Sequence, residues 1–416
     1  MQFYKKDKDR LVCLLCSYYC KLKENQIGIC GVNKNTGDKI ECLVYGHISA
    51  LNIDPIEKKP LYHFLPKSRS LSLGTVGCNF KCSFCQNHGI SQEKNIDNSK
   101  YHSPIDVVNM ALKYKCESIS YTYNEPTIFY PYAKDIAIEA KKHGIKSVYV
   151  SNGFESSEVI DDMKGLIDAV NIDLKCFSQS YYKSNLGGNL NQVLQNLKHF
   201  KKNDIWLEIT TLLVPGKNDS KDELEKIAKF IKEELDEFTP WHISSFHPDY
   251  KDMHIPHTSI DSLQMAYKIG KEAGLKYVYI GNTSLQNDTH CPNCNHTVLK
   301  RNRFEVIENN IKNGKCPKCN YKIQGVYPKM KTIRKTGFAG SFYPDNKEEI
   351  LKYIEEFNNQ TTINGVFNTR AIIVPHAGYV YSGLTANLAY FIAKDKKAKR
   401  VIVIGPCHSM YYEGAS

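Results

Sequence analysis

Hydrophobic and polar positions follow two different periods along the middle of the chain. Strand candidates lie at 70–76, 117–123, 146–151, 168–174, 205–212, 241–246 and 276–280. Between them, apolar positions recur at helical spacing over 104–115, 127–142, 156–165, 190–202, 221–235 and 260–273. Repeated βα units of this kind predict an α/β fold with a parallel sheet, either doubly wound or rolled into a barrel.

Polar side chains follow several of these strands at the point where each strand ends. Glu125 follows the second strand, Asn152 follows the third, and Asp173 and Lys175 follow the fourth. In a parallel βα fold these ends meet at one rim, where chemistry collects. Any one of these residues alone is more often a turn former or a helix cap, but their joint placement favours a binding site. His247, after the sixth strand, is left undecided.

Composition and charge describe an ordinary globular chain. Of the 416 residues, 42% are hydrophobic and 24% are charged, which leaves room for several domains. No apolar run is long enough to cross a bilayer, and the charged start of the chain has no apolar segment behind it. We therefore expect a cytoplasmic protein without a membrane partner. The net charge of +11 is diffuse, which predicts a solvated surface and argues against a nucleic-acid partner.

The 15 cysteines fall largely into short-spaced sets, which in a chain of this size favours metal binding over disulfides. One loop holds Cys78, Cys82 and Cys85 in the spacing C-x3-C-x2-C. Three thiolates can hold a cubane iron–sulfur cluster but leave one iron without a protein ligand. The alternatives are a zinc knuckle or thiols crowded by chance, and idle thiols in a loop are open to oxidation. The loop therefore indicates a cluster whose fourth iron binds something else.

A second set lies beyond the last predicted strand. Its paired C-x2-C knuckles are formed by Cys291, Cys294, Cys316 and Cys319. Four thiolates close a tetrahedral site, so the set predicts zinc first and mononuclear iron second, with a structural role.

A third set lies near the amino end and consists of Cys13, Cys16, Cys20 and Cys30. A metal site is the better interpretation of four neighbouring thiols, but the spacing does not decide between zinc and an auxiliary iron–sulfur cluster. Cys42, Cys116 and Cys176 are isolated in the sequence, and we interpret them as small buried apolar residues.

The cysteine loop, with Phe84 before its last thiol, resembles the signature of the radical SAM superfamily. The resemblance implies a [4Fe–4S] cluster on Cys78, Cys82 and Cys85, S-adenosylmethionine (SAM) on its open iron, and a partial (β/α)6 barrel. It also implies roles for the rim. Glu125 stands in Tyr123-Asn124-Glu125-Pro126, where the family has Gly-Gly-Glu-Pro to meet the SAM amino group, and both glycines are replaced here. Asn152, Asp173 and Lys175 lie in motifs similar to the Thr-Asn-Gly and Asp-Leu-Lys of glycyl-radical activases, so they are expected near the ribose or carboxylate of SAM.

Residues 1 to about 330 resemble one activase-like branch, the radical SAM enzyme of the AmmeMemoRadiSam system. The resemblance rests on the cysteine sets and on the segments 45–50 and 54–63. The expected order is a Cys-rich segment at 1–69, a radical SAM partial barrel at 70–285, a zinc-ribbon-like module at 286–330 and a further segment at 331–416.

This last segment resembles the start of the Memo family. A strand at 370–374, a helix at 384–393 and a second strand at 400–404 form a predicted βαβ unit with a histidine after each strand. In the family the matching His376 and His408 are metal ligands, completed by residues much further along. Because the sequence stops at Ser416, we expect an incomplete α/β unit that is either a fragment or in need of a partner.

The leading hypothesis is an enzyme that cleaves SAM to a 5′-deoxyadenosyl radical and abstracts hydrogen from a protein, peptide or small-molecule substrate. The resemblance implies an electron donor such as ferredoxin or flavodoxin. No catalytic residue is assigned beyond the cluster ligands. The alternative is an iron–sulfur scaffold or electron-transfer protein without SAM chemistry, which would leave the polar rim without a purpose.

Overall fold

A computed structural model describes residues 2–97, 99–285, 287–328, 338–362, 369 and 371–394. The chain divides into two compact units, Met1–Met330 and Lys331–Ser416, which are described separately. Among the described residues, no helix combines the length and the apolar character needed to span a bilayer.

The amino-terminal segment of the first unit consists of short antiparallel strands. One sheet contains β1 (Tyr4–Asp7), β2 (Arg10–Cys13) and β3 (Lys21–Leu22), and a separate hairpin contains β4 (Asn33–Asn35) and β5 (Ile40–Cys42). The strands are short, and the end of β2 and the connections after it carry the thiols of the amino-terminal cysteine set, Cys13, Cys16, Cys20 and Cys30.

An eight-stranded sheet forms the centre of this unit, and its strands lie side by side in chain order. They are β6 (Ala50–Pro55), β7 (Arg69–Gly74), β8 (Ser118–Tyr121), β9 (Lys146–Ser151), β10 (Ala169–Asp173), β11 (Trp206–Leu213), β12 (Trp241–Ser245) and β13 (Val278–Gly281). Strands β7 to β13 are parallel, whereas β6 pairs antiparallel with β7. The singly wound order is that of a partial barrel, and it confirms the predicted α/β class with a parallel sheet.

Helices connect the parallel strands and cover the sheet. They are α1 (His88–Ser91), α2 (Pro104–Lys113), α3 (Tyr130–Lys142), α4 (Ser157–Met163), α5 (Gln179–Tyr181), α6 (Leu190–Lys202), α7 (Lys221–Phe230) and α8 (Ile260–Glu272). Short 3-10 turns lie at Ile56–Lys58, Pro126–Phe129 and Tyr250–Asp252, and π-helical turns at Tyr182–Leu186 and Ile231–Leu235. Five of these helices begin at a serine whose side chain accepts an amide hydrogen bond from the first turn, as N-caps do.

Side chains of the central strands are buried on both faces, because helices cover one face and the opposite face closes on itself. All four residues of β8 and four of the five residues of β10 are buried. The sequence pattern does not show this burial directly, because β7 and β8 alternate serine with apolar residues although the residues on both faces are buried.

A small three-stranded module closes the first unit. It contains β14 (Thr289–His290), β15 (Thr297–Asn302) and β16 (Glu305–Asn309). Arg301 anchors it to the barrel, since its guanidinium donates to the carbonyl of Tyr62 at 2.8 Å and lies 4.3 Å from the centre of that ring. His63 adds a second link, since its Nδ1 donates to the Gln324 carbonyl at 2.8 Å and its Nε2 lies 2.7 Å from Tyr279 Oη. Burial lowers the pKa of His63 to about 4, so this link is made by a neutral ring.

The described part of the second unit consists of two helices, α9 (Lys347–Asn359) and α10 (Tyr379–Lys394). The predicted helix at 384–393 is therefore present and begins earlier. The strand predicted at 370–374 is not formed at 371–374, where the chain has no regular structure and the Ile373 side chain is 99% exposed. A strand needs a hydrogen-bonded neighbour, and the second predicted strand at 400–404 lies outside the described residues.

Candidate active site at the carboxyl ends of the strands

One cavity of about 470 Å³ opens at the carboxyl ends of the parallel strands. The structure brings all seven predicted residues of this region into its lining, from the loop after β7 and from the ends of β8, β9 and β10: Cys78, Cys82, Cys85, Glu125, Asn152, Asp173 and Lys175. In the sequence, the first and last of these residues, Cys78 and Lys175, are almost a hundred positions apart. The parallel register of the strands is what gathers them on one rim.

The three thiols of the cluster loop are free and lie at one side of this cavity. The backbone amide of Phe80 donates to Cys78 Sγ at 3.4 Å, and Ser91 Oγ lies 3.1 Å from Cys85 Sγ. Burial raises the pKa of Cys82 to about 11, while the neighbouring Lys175 ammonium acts in the opposite direction. Three thiols that line a shared cavity, two of them with a hydrogen-bonding neighbour, are a ligand set that suits a cluster.

Glu125 lies buried where β8 ends. Its carboxylate accepts hydrogen bonds from the amides of Thr127 at 3.0 Å and Asn152 at 2.8 Å, and from Ser151 Oγ at 3.0 Å. Burial raises the pKa of Glu125. The carboxylate is thus fixed in place with both oxygens engaged, beside the thiols.

A second buried carboxylate, Glu155, lies behind Glu125. Ser151 Oγ also lies 2.5 Å from Glu155 Oε1, so the hydroxyl lies between the two carboxyl groups. Burial and the charge of Glu125 raise the pKa of Glu155 to about 8. Glu155 was not predicted from the sequence, where its only signal is its position two residues after Gly153.

Tyr123 adopts the backbone conformation that the family's first glycine would allow. Its φ is +74°, a value that costs an L-residue about 1–2 kcal/mol. The side chain offsets this strain, since its hydroxyl donates to Asp54 at 3.0 Å and the Lys59 ammonium lies 4.7 Å from its ring centre. Asn124 then donates to the carbonyl of Gly77 at 2.8 Å. The replaced glycines therefore leave the bend at the strand end intact and tie it to the cysteine loop.

Asp173 and Lys175 pair with each other at the end of β10, with 2.9 Å between the carboxylate and the ammonium. Burial alone would lower the pKa of Lys175, but the charges of Asp173 and Cys82 outweigh it and the pKa lies above its ordinary value. The pair presents one charge of each sign to the cavity.

The lining of the cavity also contains polar groups that were not predicted from the sequence. They are Glu57, Lys59, Tyr62, His242 and Ser244. His242 pairs with the buried Glu208 at 2.7 Å. Glu57 Oε1 accepts the Lys67 amide at 2.9 Å, while Oε2 has no hydrogen-bond partner among the described residues.

The knuckle cysteines of the small module converge on one point. Sulfur-to-sulfur distances are 3.6 Å for Cys291 and Cys319, and 3.7 Å for Cys294 and Cys316. All four sulfurs lie within 4.8 Å of one another. A tetrahedral site with metal–sulfur bonds of about 2.3 Å separates its sulfurs by about 3.8 Å. The set therefore has the dimensions of a closed site for one metal ion.

The histidines flagged in the sequence stand elsewhere. His247 is exposed and its ring lies 3.0 Å from the Gln86 amide, next to the cysteine loop. His376 is exposed in the second unit, and His408 lies outside the described residues.

Comparison with known proteins identifies the two parts of the chain. A family model described as Radical SAM superfamily matches residues 72–231. An uncharacterised protein of Methanocaldococcus jannaschii is 40% identical over 328 residues, which cover 77% of this chain and 97% of the relative. The chain belongs to the radical SAM superfamily. A candidate glycyl-radical enzyme activating enzyme of the same organism is 26% identical over 232 residues, which cover 54% of this chain and 84% of that relative.

The second unit has separate relatives. A family model described as Memo-like protein matches residues 334–416. A MEMO1 family protein of Thermoplasma volcanium is 41% identical over 76 residues, 18% of this chain, and the chain spans only 28% of that relative's length.

Among solved structures, a domain of a pyruvate-formate lyase-activating enzyme from Bacteroides vulgatus aligns with a TM-score of 0.36 and 18% identity, over 39% of this chain and 98% of that domain.

These matches confirm that the protein is an enzyme of the radical SAM type with a Memo-like segment. Membership of the superfamily implies SAM-dependent radical chemistry, with SAM and a [4Fe–4S] cluster as cofactors. The free thiols and polar rim of the cavity fit these two groups in their chemistry.

Proposed function

We propose that the protein cleaves SAM reductively at a [4Fe–4S] cluster on Cys78, Cys82 and Cys85 and abstracts hydrogen from a protein or peptide substrate. The observation that supports this proposal most directly is the single cavity that holds these three thiols together with Glu125, Asn152, Asp173 and Lys175. When bound, the cluster and SAM supply a 5′-deoxyadenosyl radical.

The chain's own residues bind and orient the cofactor. Glu125 accepts a hydrogen bond from the SAM amino group, since its carboxylate is held beside the thiols by three donors. Lys175 meets an anionic group of SAM and Asp173 meets a hydroxyl or cationic group. Asn152, whose side chain donates to Asn79 Oδ1 at 2.7 Å, ties the rim to the cysteine loop and lies near the ribose.

The substrate class and the electron donor are part of the proposal. Two relatives in Methanocaldococcus jannaschii carry names that describe glycyl-radical enzyme activation, and activases of this type act on proteins. A low-potential donor such as ferredoxin or flavodoxin supplies the electron. The lining of the cavity, with Glu57, Lys59 and His242, offers the donors and acceptors that a peptide segment requires.

Anaerobic SAM cleavage tests the proposal. The full-length protein is reconstituted with iron and sulfide, mixed with dithionite and SAM, and assayed for 5′-deoxyadenosine. We expect product from the parent and a loss of at least a hundredfold in Cys85→Ser, with Cys116→Ser as the matched control because Cys116 is buried far along the sequence from any set. Parent-level product from Cys85→Ser would refute the cluster assignment.

We further propose that the knuckle cysteines hold zinc. The sulfur distances support a single closed ion, and a closed site has a structural role. Replacing Cys291 and Cys316 together by Ser should release about one equivalent of zinc and lower the melting temperature, because metal binding contributes to folding. Unchanged zinc content in the double variant would contradict the assignment.

A further inference from the structure

Four thiols of the amino-terminal segment lie together behind the cluster loop. Cys13, Cys16 and Cys30 are buried, Cys20 is half-buried, and all four are free. The amide of Cys13 donates to the carbonyl of Cys20 at 2.9 Å, which closes the first turn. Gly28 packs between Cys20 and Cys30, since a Cβ on it would lie 3.7 Å from both of their sulfurs. The fold thus assembles four thiols from two turns.

One of these sulfurs has a side-chain donor, since Asn33 Nδ2 donates to Cys30 Sγ at 3.4 Å. A neutral thiol is a weak acceptor, whereas a metal-bound thiolate is a strong one. Hydrogen bonds to sulfur are also a regular feature of iron–sulfur sites.

The spacing of these thiols differs from that of the knuckle site. Among the described residues, the knuckle cysteines alone bring three or more ligand atoms within 4.8 Å of one another. No three sulfurs of Cys13, Cys16, Cys20 and Cys30 meet this limit, and neither do those of Cys78, Cys82 and Cys85. In a [4Fe–4S] cluster each thiolate binds a different iron, so its sulfurs are separated more widely than around one ion.

A fifth thiol nearby has a different role. Cys42 lies opposite Asn33 in the hairpin of β4 and β5. Its thiol donates to the carbonyl of Ile128, with 3.8 Å between sulfur and oxygen. A thiol that donates retains its proton and is therefore not counted among the ligands.

We propose that Cys13, Cys16, Cys20 and Cys30 bind a second iron–sulfur cluster, closed by four protein thiolates. It lies next to the cluster loop, because the carbonyl of Cys30 packs against Gly77, where a Cβ would be only 2.8 Å away. Four protein ligands leave no iron for SAM, so SAM perturbs only the cluster at Cys78.

The experiment isolates the second cluster in the full-length chain. A variant with Cys78, Cys82 and Cys85 all replaced by Ala is reconstituted anaerobically with iron and sulfide. We expect about two to four irons with an equal amount of acid-labile sulfide per chain, and an EPR signal after reduction that SAM leaves unchanged. Adding Cys20→Ser and Cys30→Ser should remove both iron and sulfide, while adding Cys116→Ser should not.

Sulfide separates a cluster from adventitious iron at the knuckle site, which binds no sulfide. The proposal would be overturned if the variant lacking Cys78, Cys82 and Cys85 contained no more sulfide than the same variant with Cys20→Ser and Cys30→Ser added. A second equivalent of zinc in the first variant would also overturn it. The parent chain provides a test that does not depend on the folding of variants. Its reduced EPR spectrum should contain two cluster components, of which SAM shifts one, and a single component that shifts completely would also overturn it.

The outcome is independent of the proposed function. Sulfide in the triple variant together with no SAM cleavage by the parent would refute the proposed function alone. SAM cleavage by the parent without sulfide in the triple variant would refute the second cluster alone.

Discussion

At the scale of single residues, Glu125 gives the most direct test of the SAM site. Its charge-assisted hydrogen bond to the SAM amino group should contribute roughly 1.5–3 kcal/mol. Glu125→Ala should therefore weaken SAM binding by about one to two decades, at about 1.4 kcal/mol per decade. Isothermal titration of cluster-loaded protein measures the change, and iron content checks that the cluster is retained.

The matched control is Glu117→Ala, because Glu117 is exposed at the opposite end of the same strand. It should leave SAM affinity unchanged. Parent-like affinity in Glu125→Ala would instead assign Glu125 to holding the turn at Thr127 and Asn152.

Glu57 gives a pH test at the same scale. Burial raises its pKa from 4.5 to about 7, so the folded state favours the protonated form. Its contribution to stability is therefore complete below pH 4.5 and is lost as the pH rises through 7. Glu57→Gln keeps a neutral group of the same shape. The variant should gain stability relative to the parent by about 3 kcal/mol between pH 4.5 and pH 8, at 1.36 kcal/mol per pKa unit.

Urea unfolding of both proteins at the two pH values measures this difference, in which the other titrating groups cancel. Glu41→Gln is the control, since Glu41 is exposed. A stability difference between Glu57→Gln and the parent that does not change with pH would show that Glu57 is ionised in the folded protein.

The residues of the site differ in how far the sequence could predict them. Glu125, Asn152 and Asp173 follow recognisable strands, so the rule that strand ends meet at one rim was enough to bring them together. Glu155 and Glu57 were missed because neither stands at the end of a predicted strand. Their burial depends on tertiary packing that no local pattern records.

At the scale of elements, the parallel strands were predicted well because short strand-like stretches alternate with helical patterns, and several of the helices begin at a serine cap. Strand β6 was missed. Its Leu51 and Ile53 alternate with polar residues over only a few positions, and it lies among cysteine turns that gave no periodic pattern. The strand at 370–374 is the opposite case, where β-branched residues suggested a strand that lacks a paired neighbour among the described residues.

Gly77 tests how the amino-terminal segment supports the cluster loop. It has a φ of +89°, and a Cβ there would lie 2.8 Å from both the Cys30 carbonyl and Val32 Cγ1. Gly77→Ala should cost about 1–2 kcal/mol for the left-handed backbone and a further 1–3 kcal/mol for overpacking. It should also lower the iron incorporated at Cys78, because the neighbouring residue must shift.

Gly144→Ala is the matched control, since Gly144 has a φ of +71° with nothing within 4 Å of the added atom. It should show the backbone cost alone and retain the parent's iron content. Equal unfolding free energies for the two variants would mean that the contact between Gly77 and Cys30 is not made.

At the scale of the whole molecule, the two units have separate relatives and separate candidate chemistry. All candidate residues of the SAM site lie in the first unit, Met1–Met330. The uncharacterised relative from Methanocaldococcus jannaschii aligns over 97% of its own length, and the alignment covers 77% of this chain. Among the described residues, His376 of the Memo-like unit belongs to no candidate metal site. This unit matches 28% of the length of the MEMO1 family protein of Thermoplasma volcanium.

Residues 1–330 should therefore retain SAM cleavage when the Memo-like unit is removed. The shortened chain keeps the eight-stranded sheet, the cysteine loop and the knuckle site, so we expect 5′-deoxyadenosine formation within about twofold of the full chain and an unchanged zinc content. The same shortened chain with Cys85→Ser serves as the inactive control. A loss of SAM cleavage with zinc and iron retained would show instead that the second unit takes part in the reaction, and titrating the missing unit back as a separate chain would then restore the rate.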